Sequence, residues 1–224
     1  MNLRQRLSAC ARACGAAALT PLVHQPSSPW LPVAVYGPAA VACVLGNLLA
    51  ESPPPAWAWV VWPAAGFLLW TLIEYVLHSR FFHDPPRGFR WMSMSHGSHH
   101  DAPDDPDRIV ARLSFSLPIA VALFVGLSLV LWSVASGALV FAGVAVGYLS
   151  YEVIHFSIHR VAWVRRLVRP LASHHLHHHY ADASRCFGVT TPLWDWIFRT
   201  GRREAAADRV PLAPVPQPSA GARP

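Results

Sequence analysis

Four long apolar segments divide the chain, and polar segments rich in arginine and histidine lie around and between them. The apolar segments cover about residues 33–50, 56–77, 114–134 and 138–156. A membrane-spanning helix needs about 20 such residues, so all four segments qualify, the first only just. Short turns at residues 51–55 and 135–137 join them in pairs. The pattern predicts an all-α integral membrane protein with four transmembrane helices in two hairpins.

The two ends of the chain have a different composition from this central part. Residues 1–32 carry three arginines among alanine, leucine and cysteine, and Arg12 interrupts the apolar core that a signal peptide needs. We expect an interfacial segment that lies on the membrane surface. Residues 204–224 are rich in alanine and proline and have no apolar periodicity, which predicts a disordered tail. Residues 33–203 then form the membrane-embedded domain.

Charge supports this reading and adds an orientation. Charged residues make up 13% of the chain, against about 25% in an ordinary soluble domain. All eighteen basic residues are arginines, and none lies in the two turns that join the spans. The positive-inside rule therefore places both termini and the loop at residues 78–112 in the cytoplasm. The basic charge needs no nucleic-acid partner, and the composition is typical of a bacterial inner-membrane protein.

Ten of the thirteen histidines form four groups at the predicted ends of the spans and in the polar segments. In chain order the groups are His78 and His83; His96, His99 and His100; His155 and His159; and His175, His178 and His179. Spacings of three and four residues gather side chains on one helical face. Because every group falls on the predicted cytoplasmic side, the four groups can converge in one helical cap.

Converging imidazoles predict a metal centre, because neutral imidazole is the commonest nitrogen ligand of transition metals. Ten ligands are too many for one four-coordinate zinc ion and suit two ions with four or five nitrogens each. We expect two iron ions that activate O2 against an unactivated C–H bond. Zinc can replace iron in a purified sample, because it competes well at imidazole sites.

Other polar residues near the histidines are candidates for supporting roles. Glu74 and Glu152 each lie about one turn before a ligand histidine inside an apolar span, where a carboxylate is costly. We expect them to accept the second N–H of a ligand imidazole, and Asp105 and Tyr180 are further candidates. His174 and His177 are expected beside the centre rather than as ligands, and Trp194 and Trp196 at the membrane interface.

The order of these motifs resembles the fatty acid hydroxylase/sterol desaturase superfamily. The resemblance rests on residues 74–78 (EYVLH) with His83, and on three later motifs: residues 96–100 (HGSHH), His155 with His159, and residues 175–180 (HLHHHY). Residues 187–195 (FGVTTPLWD) and 105–110 (DPDRIV) resemble the fatty acid 2-hydroxylase branch, the sphingolipid alpha-hydroxylases.

The resemblance implies a four-span enzyme with a cytoplasmic dimetal cap that uses O2 and external electrons to hydroxylate a fatty acyl carbon, typically C2. The sequence contains no cytochrome b5-like segment, so we expect a separate electron donor, either cytochrome b5-like or a ferredoxin with its reductase. Two alternatives stay open. One is hydroxylation or desaturation of a sterol, carotenoid or other lipid. The other is a histidine-rich metal transporter or chaperone, which should place its ligands at the bilayer midplane.

Overall fold

The computed structural model describes Ser28 and residues 30–202, and every regular element in this part of the chain is helical. A π-helical turn, Leu77–Phe82, continues the second helix. The other elements are α1 (Trp30–Leu48), α2 (Ala58–Val76), α3 (Arg90–Asp101), α4 (Pro106–Ile109), α5 (Leu113–Val130), α6 (Val134–Arg160), α7 (Ala162–Leu167), α8 (Arg169–Tyr180) and α9 (Leu193–Ile197). Most of the predicted interfacial segment and the predicted tail lie outside the described residues.

Four helical stretches are long and apolar enough to cross a membrane, which confirms the predicted all-α membrane fold. They are Trp30–Leu48, Ala58–Phe82, Pro106–Val130 and Val134–Arg160. The second and fourth run beyond the ends predicted from the sequence, residues 77 and 156. The apolar pattern stops at the first histidines, whereas the helical backbone continues and carries those histidines out of the apolar region.

Helix α6 is the centre of the bundle, and α1, α2 and α5 each pack against it. The first two spans, expected to pair as a hairpin, pack on α6 rather than on each other. Glycines explain the close contact between α2 and α6. A Cβ atom at Gly66 would overlap the Val140 carbonyl, and one at Gly143 would overlap the Pro63 carbonyl. Small residues let membrane helices approach closely and gain van der Waals contact.

The outer surface of the bundle is apolar, as expected for helices that face lipid. No residue of α5 is fully buried, and large apolar side chains such as Leu45, Val60 and Leu129 are exposed. The remaining elements gather at one end of the bundle. Helix α3 packs on the π-helical turn, α4 and α7 pack on α6, α8 packs on α7, and α9 packs on α2. These elements and their loops form the cap, and the cap brings the histidine groups together.

Candidate metal centre

The local backbone explains how His78 and His83 come to face the same way. Five residues separate them, and in a regular α-helix that spacing would place them about 140° apart. The structure instead has a π-helical turn, in which residues i and i+5 lie on the same side. Their rings are 5.2 Å apart, centroid to centroid.

All ten histidines named from the sequence lie in two sets of five. In each set the nearest ring nitrogens all lie within 4.8 Å of one another. Set 1 contains His78, His83, His96, His100 and His178, and set 2 contains His99, His155, His159, His175 and His179. Helices α3 and α8 each supply both sets. In α3, His96 and His100 face set 1 and His99 faces set 2. In α8, His175 and His179 face set 2 and His178 faces set 1.

The nitrogens that meet in each set are the Nε2 atoms. The Nε2 atom of His96 lies 3.0 Å from that of His78, 2.9 Å from that of His83 and 3.0 Å from that of His100. In set 2, His175 Nε2 lies 2.9 Å from His159 Nε2 and 3.0 Å from His179 Nε2. A neutral imidazole carries one N–H, so hydrogen bonds cannot satisfy three such contacts at one atom.

These separations fit a metal ion better than they fit hydrogen bonds. Two nitrogens that bind one ion at about 2.1 Å, about 90° apart, are about 3.0 Å from each other. The separations observed between neighbouring Nε2 atoms, 2.9–3.1 Å, match this value in both sets. Each set can therefore hold one ion with its five Nε2 atoms.

Electrostatics keeps these imidazoles in the form that binds metal. Burial, with smaller contributions from neighbouring imidazoles, lowers the pKa of His83 to about 4 and of His178 to about 3. The same causes hold the pKa of His96, His99 and His175 well below the ordinary value. A metal can bind only the neutral ring, so at neutral pH no proton has to leave before it binds.

A short loop holds two ligands of set 1 from behind. We call residues 185–191 the strap. The Nδ1 atom of His178 donates to the Arg185 carbonyl at 2.7 Å, and that of His78 donates to the Phe187 carbonyl at 2.5 Å. With the proton held on Nδ1, the lone pair of Nε2 points to the metal position.

Two carboxylates hold the strap through four consecutive backbone N–H groups. Asp195 accepts from Phe187 N at 2.9 Å and from Gly188 N at 2.7 Å. Glu74 accepts from Val189 N at 2.5 Å and from Thr190 N at 2.9 Å, and also from the Thr190 hydroxyl. Only glycine fits at position 188, because a Cβ atom there would overlap the Thr191 carbonyl. The strap thus has a fixed position relative to α2 and α9.

Asp195 is the functional residue that sequence reasoning missed. It is 1% exposed, and its carboxylate also accepts hydrogen bonds from Thr200 Oγ1 at 2.7 Å and His174 Nε2 at 3.0 Å. Burial opposes its ionisation, but these hydrogen bonds outweigh burial and hold the pKa of Asp195 below its usual range. A single acidic residue in the apolar run 193–198 was the available signal, since such a charge needs partners.

The structure shows other contacts for the four residues that were expected to support the ligands. Glu74 accepts from Val189 N and Thr190 N of the strap instead of from a ligand imidazole. Glu152 accepts from the Ala111 N–H at 3.2 Å, so it ties the α4–α5 connection to α6. Asp105 caps α4 through Asp107 N and pairs with Arg108. Tyr180 is 53% exposed at the end of α8, with its ring centroid 6.1 Å from that of His179.

The two tryptophans of α9 also differ from each other. Trp196 is 79% exposed, as an interfacial side chain should be. Trp194 instead donates from Nε1 to the Thr71 hydroxyl at 2.9 Å, which fastens α9 to α2. The contact brings Asp195, the next residue, to the strap.

An apolar cavity leads from set 1 into the bundle between the spans. A water-sized sphere can place its centre in about 70 Å³ of this cavity, and all of its empty space, with the open mouth included, is about 690 Å³. His78 and Phe82 line one part of it, and Tyr151, also in its wall, stacks on the ring of His155. The rest of the wall includes Trp70, Leu77, Phe115, Ile119, Ala120, Leu123, Phe141, Val144, Ala145 and Tyr148. Set 1 therefore adjoins this apolar space through His78, whereas set 2 contacts its wall through His155, which stacks on Tyr151.

Comparison with known families agrees with this architecture. The family model described as Fatty acid hydroxylase matches residues 63–200, more than half of the chain. The chain belongs to the fatty acid hydroxylase family. This confirms the resemblance drawn from the histidine motifs, all of which lie inside the matched residues.

Individual relatives extend the comparison. A fatty acid 2-hydroxylase of Macaca fascicularis is 39% identical over 142 residues, which are 60% of this chain and 38% of that protein. The dihydroceramide fatty acyl 2-hydroxylase FAH1 of Arabidopsis thaliana is 30% identical over 76% of this chain and 70% of its own length. A solved structure of full-length scs7p, with only the hydroxylase domain visible, superposes with a TM-score of 0.70. It is 27% identical and covers 83% of this chain and 70% of that chain. The chain thus spans well under half of the animal relative.

Proposed function

We propose that this protein is a membrane-embedded oxygenase that hydroxylates a fatty acyl chain, at C2, with O2 and external electrons. One observation carries the proposal: two sets of five converging Nε2 atoms lie at the end of the bundle, and His78 of set 1 lines an apolar cavity between membrane-spanning helices. The relatives are a fatty acid 2-hydroxylase and a dihydroceramide fatty acyl 2-hydroxylase, and these names suggest the carbon position and the class of substrate, an acyl chain in amide linkage.

We assign one iron ion to each set, with the ten histidines as ligands. Nitrogen ligands suit iron, and no carboxylate among the described residues belongs to either set. Bound iron would supply the reductive activation of O2 that breaking an unactivated C–H bond requires. The protein supplies neutral ligands at fixed positions and a site with little water.

The chain's own residues bind and align the substrate. The side chains of Phe82, Trp70 and Leu77 give the acyl chain an apolar wall, so its burial from water favours entry. Because His78 forms part of this wall, a chain that fills the cavity passes directly beside set 1. No protein acid or base needs to act on the substrate, since the reaction at a C–H bond involves no ionisable substrate group.

The electron donor and the membrane follow from the same reasoning. We propose a separate donor, cytochrome b5-like or a ferredoxin with its reductase, that reaches the cap from the cytoplasm. The arginines at residues 80–112 and 160–202 lie in the cap or at the ends of the spans that meet it, which supports a cytoplasmic cap in a bacterial inner membrane.

The test is a hydrolysed-lipid profile by mass spectrometry from aerobically grown cells supplied with a reductase system. Cells that express the wild type are compared with cells that express His178→Ala/His179→Ala, which removes one ligand from each set. Arg166→Ala, on an exposed position of α7, is the matched control. We expect 2-hydroxy fatty acids with the wild type and the control only.

Other outcomes identify the alternatives. An oxidised sterol or carotenoid that depends on the histidines would overturn the acyl substrate and retain the oxygenase. No histidine-dependent product from any fed lipid, with metal still bound, would overturn the oxygenase in favour of metal handling.

A further inference from the structure

The two histidine sets differ in what holds the far side of their rings. In set 1 the Nδ1 atoms of His78 and His178 donate to strap carbonyls. In set 2 the Nδ1 atoms are buried and make no hydrogen bond to any described residue, and this holds for His99, His155, His159, His175 and His179 alike. The Ile109 carbonyl lies near His155, but outside hydrogen-bonding geometry.

The contact behind His78 extends to a carboxylate. Phe187 O, which accepts from His78, and Gly188 N, which donates to Asp195 Oδ2 at 2.7 Å, belong to the same peptide group. An amide that donates its N–H to a charged acceptor becomes a stronger acceptor at its own carbonyl. Asp195 therefore polarises and orients His78 through one peptide group. Similarly, the peptide group between Arg185 and Cys186 links His178 to the Thr200 carbonyl, to which Cys186 N donates at 2.9 Å.

Such contacts raise the affinity of a metal site. A ligand histidine that donates its second N–H is fixed in tautomer and orientation and becomes more basic, and loss of such a partner typically costs about 10–100-fold in metal affinity. Set 2 lacks this help: with a metal on its Nε2 atoms, at least four buried Nδ1–H groups have no acceptor among the described residues, each at a cost. They belong to His99, His159, His175 and His179.

We propose that the two sites are unequal: set 1 binds its ion at least about 10-fold more tightly than set 2, and Asp195 maintains the difference as a positioning residue that acts through the 187–188 peptide group. The inference rests on the dimetal centre of the proposed function. Burial alone would favour the opposite order, because His83 and His100 of set 1 are partly exposed, whereas only His179 is so in set 2.

Equilibrium metal binding tests the order. Metal-free full-length protein in detergent is equilibrated with Zn²⁺ at a series of free concentrations set by a chelator, and bound zinc per chain is measured. We expect two ions in two affinity classes. His96→Ala, in set 1, should abolish the tight class, and His175→Ala, in set 2, should abolish the weak one.

Asp195→Asn tests the mechanism. It should weaken the tight class about 10–100-fold and leave the weak class unchanged. Asp105→Asn is the matched control, because Asp105 is a cap carboxylate bonded only to its own short helix. A variant that merely disturbs folding would weaken both classes together, which would overturn the role of Asp195.

The ordering does not depend on that variant. Two ions of equal affinity, or a tight class that survives His96→Ala and disappears with His175→Ala, would overturn the inequality and leave the dimetal centre intact. Fewer than two ions per wild-type chain at saturation would overturn the dimetal centre itself.

Discussion

Glu74 offers the sharpest test of the idea that carboxylates hold the strap. It is 4% exposed, and its oxygens accept from Val189 N, Thr190 N and Thr190 Oγ1. Two substitutions separate the parts of this contact. Glu74→Gln keeps an oxygen for the two N–H groups, and the Thr190 hydroxyl can turn to accept from the new amide. Glu74→Leu has a similar size and offers no acceptor.

The expected costs differ between the two variants. A buried N–H left without an acceptor costs about 1–3 kcal/mol, so the two N–H groups stranded by Glu74→Leu cost about 4 kcal/mol together. Glu74→Gln removes charge but keeps the hydrogen bonds, and should cost about 1–2 kcal/mol. On the scale of soluble domains of this size, where 1 kcal/mol corresponds to about 2–4 °C, Glu74→Leu should lower Tm by roughly 8–16 °C.

The assay is thermal unfolding of the purified protein in detergent, followed by helical circular dichroism, with bound metal measured on the same samples. Asp182→Asn is the control, because Asp182 also accepts from a backbone N–H, that of Ser184, but its side chain is 40% exposed. It should change stability by less than about 1 kcal/mol. A Glu74→Leu protein that melts within 2 °C of the wild type on this roughly 2–4 °C per kcal/mol scale would refute the reasoning.

Three further predictions concern packing, substrate length and pH. Gly143→Ala should destabilise by about 1–3 kcal/mol because its Cβ meets the Pro63 carbonyl, whereas Gly126→Ala, with open space around it, should not lower Tm. Ala145→Phe narrows the cavity and should shift the products toward shorter acyl chains at unchanged metal content, as measured by lipid mass spectrometry. Metal-free protein should lose stability as the pH falls from about 6.5 toward 4. In this range His83 stays neutral in the folded protein, where its pKa is about 4, but becomes protonated in the unfolded chain. Denaturant titrations at pH 5, 6 and 7 should show a free energy of unfolding that decreases as the pH falls, more between pH 6 and 5 than between pH 7 and 6, and a flat profile would contradict it.

Hydrophobic patterning and spacing were enough to predict the spans and to select the ten histidines. Both are local properties: about 20 apolar residues predict a span, and positions i and i+4 share a helical face. The same local rules could not divide the ten between two sets. That division depends on how α3 and α8 cross the ends of α2 and α6, which no single segment specifies.

The roles of Glu74 and Asp195 could not be predicted for a related reason. Their partners are 115 and 8 residues away in the sequence, at Val189 and Phe187 respectively. Glu74 lies one helical turn before His78, which suggested that its carboxylate accepts from a ligand imidazole. A separation of one turn places two side chains on the same helical face but does not place them in contact.

Interposing a peptide between a carboxylate and a ligand imidazole has a physical consequence. A carboxylate in direct contact would compete for the imidazole proton and set a full negative charge beside the ring, whereas a carbonyl holds the ring with a fixed dipole. In set 1 one peptide group separates the Asp195 charge from the His78 ring. The same carboxylate also accepts hydrogen bonds from four groups, those of Phe187, Gly188, His174 and Thr200. A displacement of any one of these groups must therefore be transmitted to His78. The strap makes the geometry of set 1 depend on the folding of α9, the last helix of the described residues, which lies more than one hundred residues after His78.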